Sequence, residues 1–216
     1  MALVLRSYWR SSCSWRVRIA LNLKGVEYET VSVHLVKEGG EQHQAEHRNL
    51  NPMRELPVLL VDDQPIAQSV AILEYLEETY PEPSLLPQAS LDRARVRQMA
   101  EVINSGIQPI QNLRVMQRLG SAFDLPKADQ IEWSKEWIEF GFEGLHRLVE
   151  RYGGRFSFGE QVTYADLCLI PQLYNARRFA VDLERFPRLL EIEAELQGLP
   201  AFVAAHPDQQ PDAVLT

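Results

Sequence analysis

Short apolar runs and helical patterns alternate over the first part of the chain. Residues 3–5, 28–33 and 56–61 are apolar or alternating runs of strand length, and residues 64–66 follow a turn as a fourth strand. One helical pattern ends at Gly25, and another follows residue 68 with Ser69 as its N-cap. Strands joined by a helical crossover are parallel, so the pattern predicts a β-α-β unit followed by a β-β-α unit.

Three prolines within residues 81–87 predict a domain boundary, because proline interrupts helices and sheets. Beyond it the pattern is helical, with predicted helices over residues 91–119 (bent near Gly106 and Pro109), 131–152 (Trp137 and Phe140 on its apolar face), 187–196 and 201–205. A capping-box pattern at residues 163–166 precedes a segment that is apolar on every side, which predicts a buried central helix. We therefore expect a thioredoxin-like α/β domain in residues 1–82 and an all-α helical bundle in residues 88–216.

The turn from the first strand into the first helix carries polar and reactive side chains: Arg10, Ser11, Ser12, Cys13 and Ser14. Serine hydroxyls accept hydrogen bonds from the N–H groups of a helix start, where the helix dipole also favours an anion or a thiolate. With the neighbouring arginines at positions 6, 16 and 18, these residues predict one electropositive site. Taken singly, each serine is equally well explained as a helix cap, and the cysteine as inert.

Composition excludes several classes of partner. The 216 residues carry a formal net charge of −8, which argues against nucleic acid and anionic membranes. No apolar run approaches the roughly 20 residues of a membrane span, and no signal peptide is visible. The two cysteines, Cys13 and Cys168, suggest neither a disulfide framework nor a metal site, so we expect a cytoplasmic location. Cys168 lies in the predicted central helix and is expected to be a core residue.

Residues 11–21, with the sequence SSCSWRVRIAL, resemble the signature of the zeta-class glutathione transferases, whose members are maleylacetoacetate isomerases. Other similar segments are residues 50–53, 68–69, 74–79, 106–113 and 165–169. The resemblance covers nearly the whole chain. It implies the glutathione transferase fold, glutathione as the cofactor and assembly as a homodimer.

The resemblance also implies a set of glutathione contacts. Leu56 is expected to present its backbone to the cysteinyl unit ahead of a cis Pro57, and Gln68 and Ser69 are expected to hold the γ-glutamyl carboxylate. A trans proline at a strand start and an ordinary helix cap are the alternatives for these positions. Further implied contacts are Gln42 in a loop, and Gln108 and Asn112, which lie about one helical turn apart in the second domain.

In the family, the glutathione thiolate adds to a cis double bond, rotation follows, and elimination of the sulfur gives the trans alkene. Ser11, helped by Ser12 and the helix dipole, is expected to stabilise the thiolate, because free thiols are mostly protonated at neutral pH. Cys13 is expected to lie beside the sulfur without being the nucleophile. Arg10 and Arg178 are expected to bind a dicarboxylate substrate, because guanidinium groups stay charged and bind carboxylates bidentately.

The substrate is open to more than one interpretation. The first is maleylacetoacetate, converted to fumarylacetoacetate in tyrosine degradation, with glutathione transferase activity as a side reaction. Arg114 and Arg177 are similar to arginines of the bacterial maleylpyruvate isomerases, which makes maleylpyruvate the second, although those enzymes lack the serine-serine-cysteine run. A third interpretation is that the chain is not an enzyme but a non-catalytic glutathione-binding protein. Such a protein has no need of the substrate arginines Arg10 and Arg178.

Overall fold

The structure, a computed structural model, describes residues 1–214 and forms two compact units. Within the described residues, one unit comprises residues 1–84 together with residues 198–214, and the other comprises residues 85–197. The sequence-based division assigned the last segment to the second domain, whereas the structure packs it with the first unit. None of the helices in residues 1–214 is both long enough and apolar enough to cross a membrane.

The helices of the described chain are α1 (Ser12–Leu23), α2 (Ala45–Leu50), α3 (Ser69–Thr79), α4 (Ser90–Glu101), α5 (Leu113–Phe123), α6 (Lys127–Tyr152), α7 (Tyr164–Arg178), α8 (Pro187–Gln197) and α9 (Pro200–Ala205). In the first unit, α1 contacts both α3 and α9. The contact with α9 explains why the last segment belongs to this unit.

A four-stranded sheet organises the first unit. Its strands are β1 (Leu3–Ser7), β2 (Glu29–Ser32), β3 (Val58–Val61) and β4 (Gln64–Ala67), in the order β2-β1-β3-β4. β1 and β2 are parallel, as the crossover rule predicts, while β3 runs antiparallel to β1 and β4. Leu5 and Leu59 are paired across β1 and β3 and are fully buried. This sheet confirms the predicted thioredoxin-like domain.

The sheet register brings four connecting segments to one end. Val58, at the start of β3, pairs with Arg6 near the end of β1 and with Ala67 at the end of β4. β2 is parallel to β1 and therefore ends at the same edge, where Ser32 pairs with Ser7. The segments after β1, after β2, before β3 and after β4 consequently emerge together, as loops do at the ligand-binding end of many α/β folds.

The second unit is entirely helical in the part that the structure describes, which confirms the predicted bundle. α7 is buried along most of its length, and its first turn has the predicted capping box between Thr163 and Asp166. Cys168 on this helix is fully buried, in keeping with the predicted core role.

Two features of the second unit differ from the sequence expectation. Phe140 is 71% exposed rather than on the apolar face of α6, where Ile138 and Phe142 are buried instead. The predicted bend after α4 is present, but as a wider helical turn over Val102–Ile107, so that α5 begins only at Leu113. The hydrogen bonds of that wider turn skip one residue more than those of an α-helix, a feature that recurs at functional sites.

Candidate active site

Ser11 lies where the chain leaves β1 and enters α1. Its backbone is extended, and its Oγ accepts a hydrogen bond from the Ser14 N–H at 3.2 Å, so Ser11 is the N-cap of α1. Because the oxygen is used as an acceptor, the hydroxyl proton remains available for donation to an anion. Ser11 and Cys13 are partly exposed, whereas Ser12 and Ser14 are buried. The turn can therefore present one hydroxyl and one thiol to a ligand.

The arginines around this turn do not form the single exposed electropositive site that the sequence predicted. Arg10 is partly exposed, with its guanidinium carbon 5.1 Å from the centre of the Trp9 ring. Arg6 instead pairs with Glu46, and both Arg16 and Arg18 are fully buried. Burial lowers the pKa of Arg18 to about 10, while Tyr28 and Asp212 act in the opposite direction. Positions 16 and 18 lie about 200° apart around the helix, and both are buried because α1 is buried on every side from Ser14 to Leu21.

Ser69 is the first residue of α3 rather than its N-cap, which is Gln68. The Ser69 hydroxyl is buried and accepts a hydrogen bond from Arg16 Nη1 at 3.3 Å, which links the first turn of α3 to α1. Gln68 has a positive φ of 73°, unusual for a residue other than glycine, and its side chain donates to Glu55 at 3.1 Å. A buried hydroxyl backed by a guanidinium at a helix start is suited to a carboxylate.

The segment before β3 has the geometry that the resemblance implied. The Leu56–Pro57 peptide bond is cis, and the preceding Glu55 carbonyl accepts from Asn51 Nδ2 at 2.9 Å and contacts His47 Nε2 at 3.0 Å. Within residues 1–214, no hydrogen bond uses the Leu56 backbone. The N–H and carbonyl of Leu56 can therefore pair with an extended peptide, as at the edge of a sheet.

Gln42 adds a polar group from the segment after β2. Its side chain is buried and its amide nitrogen donates to the Leu35 carbonyl at 3.3 Å. The amide oxygen is buried and has no hydrogen-bond partner among the residues that the structure describes. A buried acceptor of this kind is suited to a donor group of a ligand. The open backbone at Leu56, the Ser69 hydroxyl and this acceptor are together compatible with a bound glutathione.

The second unit carries the remaining predicted contacts. Asn112 is the N-cap of α5, and its side-chain oxygen accepts from the Arg114 N–H at 3.1 Å. Gln108 lies at the end of the wider turn over Val102–Ile107, so a short non-α-helical connection lies between it and Asn112. The turn over residues 102–107 coincides with the interruption that the sequence predicted near Gly106 and Pro109. Arg114 is exposed on the first turn of α5.

Arg177 and Arg178 have different surroundings at the end of α7. Arg177 forms a bidentate ion pair with Glu193 of α8, with nitrogen–oxygen distances of 2.6 and 2.5 Å, and this pairing raises its pKa. Arg178 is exposed and its Nη1 donates to Asn175 Oδ1 at 3.2 Å. The first arginine is committed to holding two helices together, while the second projects from the surface of the unit. No cluster of potential metal ligands occurs in residues 1–214.

Comparison with known proteins identifies the class. Residues 10–79 match the family model of the glutathione S-transferase N-terminal domain. Maleylacetoacetate isomerase from Dictyostelium discoideum is 48% identical over 97% of this chain and 95% of its own length. The holo structure of a maleyl pyruvate isomerase, a bacterial zeta-class glutathione S-transferase, has a TM-score of 0.94 at 42% identity, covering 98% of this chain and all of its own.

Maleylacetoacetate isomerase from Anaeromyxobacter dehalogenans 2CP-1, with glutathione in its active site, has a TM-score of 0.89 at 48% identity, covering 99% of this chain and 98% of its own. Another structure of that enzyme holds dicarboxyethyl glutathione and citrate in the active site. The fold and the similarity both place the chain among the glutathione transferases. Within that class it belongs to the zeta family, which includes the maleylacetoacetate isomerases.

Proposed function

We propose that this protein is a glutathione-dependent isomerase that converts maleylacetoacetate to fumarylacetoacetate. The observation that carries the proposal is the Ser11 turn, where a helix N-cap keeps a hydroxyl proton available at the start of α1. That turn lies in a chain that is 48% identical to a maleylacetoacetate isomerase. The proposed reaction needs two binding sites, one for glutathione and one for a dicarboxylate substrate.

Glutathione binds, in this proposal, at the end of the sheet where the four connecting segments emerge. The Leu56 backbone ahead of Pro57 pairs with the cysteinyl unit, and Ser69 with Gln68 receives the γ-glutamyl carboxylate. Gln42 accepts from a backbone N–H of glutathione through its buried amide oxygen. Gln108 and Asn112 are the contributions that we propose from the second unit.

Bound glutathione supplies a thiol whose reversible addition to a conjugated cis double bond permits rotation about that bond. The Ser11 hydroxyl donates a hydrogen bond to the thiolate sulfur, and the N-terminus of α1 favours the anionic form through its dipole. Ser12 contributes its backbone at the same helix start. Cys13, one residue further on, lies close enough to influence the sulfur but is not needed as the nucleophile.

Arginines supply the charge that a dicarboxylate needs. We propose that Arg10 and Arg178 bind the carboxylates of the substrate, because a guanidinium binds a carboxylate bidentately. The same two groups stabilise the negative charge that develops on the substrate during the reaction. Arg114 is a further candidate for the substrate. We assign Arg177 a structural role, since its guanidinium is already occupied by Glu193.

A second substrate, maleylpyruvate, is favoured by two observations. The holo maleyl pyruvate isomerase has a TM-score of 0.94 against this chain, and Arg114 lies on the exposed first turn of α5. The intact serine-serine-cysteine run at positions 11–13 favours maleylacetoacetate instead. We further propose that the protein acts as a cytoplasmic homodimer in the degradation of tyrosine and other aromatic compounds, with glutathione transferase side activity.

Turnover of both substrates, with and without glutathione, tests the proposal. With glutathione present, purified protein is expected to isomerise maleylacetoacetate faster than maleylpyruvate. Without glutathione, it is expected to isomerise neither substrate. A higher kcat/KM for maleylpyruvate would reverse the order of the two substrates. Binding of glutathione without turnover of either would show a non-catalytic glutathione-binding protein and would contradict the proposal.

A further inference from the structure

The peptide groups on both sides of Trp9 are held by side chains from distant parts of the first unit. The Trp9 N–H donates to Asp212 Oδ2 at 3.0 Å, and the Trp9 carbonyl accepts from Arg18 Nη2 at 2.9 Å. Both are charge-assisted hydrogen bonds, which are shorter and stronger than those between neutral groups. Trp9 is followed directly by Arg10 and Ser11, the two residues of this turn that the proposed mechanism uses.

Arg18 ties the same turn to the end of the chain. Its Nε and Nη2 each donate to the Ala205 carbonyl at 3.1 Å, and its Nη1 donates to Ser7 Oγ at 3.0 Å. Beyond Ala205, the Gln210 side chain donates to the Ala204 carbonyl at 3.0 Å and so folds the chain back on α9. The residues from Ala205 to Asp212 are here called the C-terminal segment. This segment is attached to the Trp9 peptide directly by Asp212 and indirectly through Arg18, which bonds both Ala205 and Trp9.

The turn itself has little regular structure to fix it. Between β1 and α1, the Ser11 N–H donates to the Tyr8 carbonyl at 3.0 Å, and the Ser11 side chain caps the helix. Besides the burial of the Trp9 side chain, the contacts that orient the Trp9 peptide are those with Asp212 and Arg18. Since a misplacement of about 1 Å at a reacting group can cost about 100-fold in rate, these contacts bear on catalysis.

We propose that Asp212 and Arg18 are positioning residues that fix the Trp9 peptide and thereby place Arg10 and Ser11 for isomerisation. The inference rests on the proposed function, because it takes those two residues as part of the site. It assigns to the C-terminal segment a role in catalysis. Asp212 lies more than 200 residues from the turn in sequence, so no local motif points to this role.

Variants of the full chain at position 212 separate positioning from plain stability. In Asp212→Ala we expect kcat to fall about 10-fold, the KM for glutathione to change less than about 2-fold, and the exchange rate of the Trp9 amide hydrogen to rise about 10-fold. Asp212→Asn keeps an oxygen acceptor and is expected to recover most of kcat. Asp208→Ala removes an exposed carboxylate of the same segment and is the control, with kcat and Trp9 exchange unchanged.

Three results would overturn the proposal: an unchanged kcat in Asp212→Ala, a lower melting temperature with kcat and Trp9 exchange unchanged, or equal losses in Asp208→Ala. Failure of the proposed function looks different, because the wild type would then turn over neither substrate. In that case the Trp9 exchange rate and the ultraviolet absorbance of bound glutathione thiolate still decide the role of Asp212. Both should differ between the Asp212→Ala and Asp208→Ala proteins if the residue positions the turn.

Discussion

Replacement of Ser11 separates its two roles, because the hydroxyl oxygen caps α1 while the hydroxyl proton is available to a bound sulfur. Ser11→Ala removes both. Loss of the cap costs about 1 kcal/mol of stability, and loss of a hydrogen bond to a charged group costs roughly 1.5–3 kcal/mol. The lost hydrogen bond is the one to the glutathione thiolate, and its free energy corresponds to a decrease in kcat of about 10- to 150-fold.

Ser11→Gly is the informative variant. Glycine at an N-cap costs only a few tenths of a kcal/mol relative to serine, so the fold should keep nearly its full stability. It has no hydroxyl, however, and kcat should fall about as far as in the alanine variant. Ser11→Thr retains both the cap and the donor, and we expect it to retain activity within about 10-fold.

The assay is glutathione-dependent isomerisation followed by absorbance, with kcat and KM determined for each variant beside urea unfolding curves. Cys13→Ala is the matched control in the same turn, and we expect its kcat within about 3-fold of the wild type, because the mechanism does not use Cys13 as a nucleophile. Equal losses in the Ser11 and Cys13 variants, or full activity in Ser11→Gly, would refute the assignment of Ser11 as the thiolate donor.

The remaining predictions concern other parts of the chain. Asp166→Ala leaves the buried N–H groups of Ser157 and Thr163 without their acceptor, so the free energy of unfolding should fall by about 3–5 kcal/mol in urea titrations. Arg177→Ala should lower the melting temperature with little effect on KM, whereas Arg178→Ala should raise the KM for the dicarboxylate with little effect on melting; the reverse pattern would exchange their roles. Burial lowers the pKa of His47 in the folded protein, so as the pH falls the imidazole is protonated in the unfolded chain before it is protonated in the folded one. The free energy of unfolding therefore falls as the pH drops below about 6.5, the usual pKa of histidine. His47→Gln should flatten this dependence, by at most ~1.4 kcal/mol per pH unit in unfolding curves at several pH values.

The hydrophobic pattern was sufficient for the order of strands and helices in the first unit. Two-residue alternation and a helical crossover determine which strands are parallel, and the register then follows from burying residues such as Leu5 and Leu59. The capping box at Thr163 was also readable, because its residues are close in sequence and bond each other. These are local signals, and the structure confirms them.

Contacts between distant residues were not readable. Periodicity cannot distinguish an arginine that faces a ligand from one that is buried against a carbonyl. The sequence pattern therefore predicted Arg18 as part of an open electropositive site, although its guanidinium is buried against the Trp9 and Ala205 carbonyls. Periodicity also cannot show that Arg177 forms an ion pair with Glu193, or that Asp212 accepts a hydrogen bond from the Trp9 N–H. The sequence predicts an interruption near Gly106 and Pro109, but not that it takes the form of a wider helical turn over residues 102–107.

The ionisation state of the glutathione sulfur at the start of α1 is the central point of the proposed mechanism. Ultraviolet titration of bound glutathione measures the pKa of that thiol directly, and a Cys13→Ala background removes the absorbance of the neighbouring protein thiol. With Ser11 intact we expect a pKa at least one unit below the usual value of about 8.5, and a return towards that value when Ser11→Gly is added. The same pKa in both proteins, or a value near 8.5 with Ser11 in place, would contradict the role assigned to the serine.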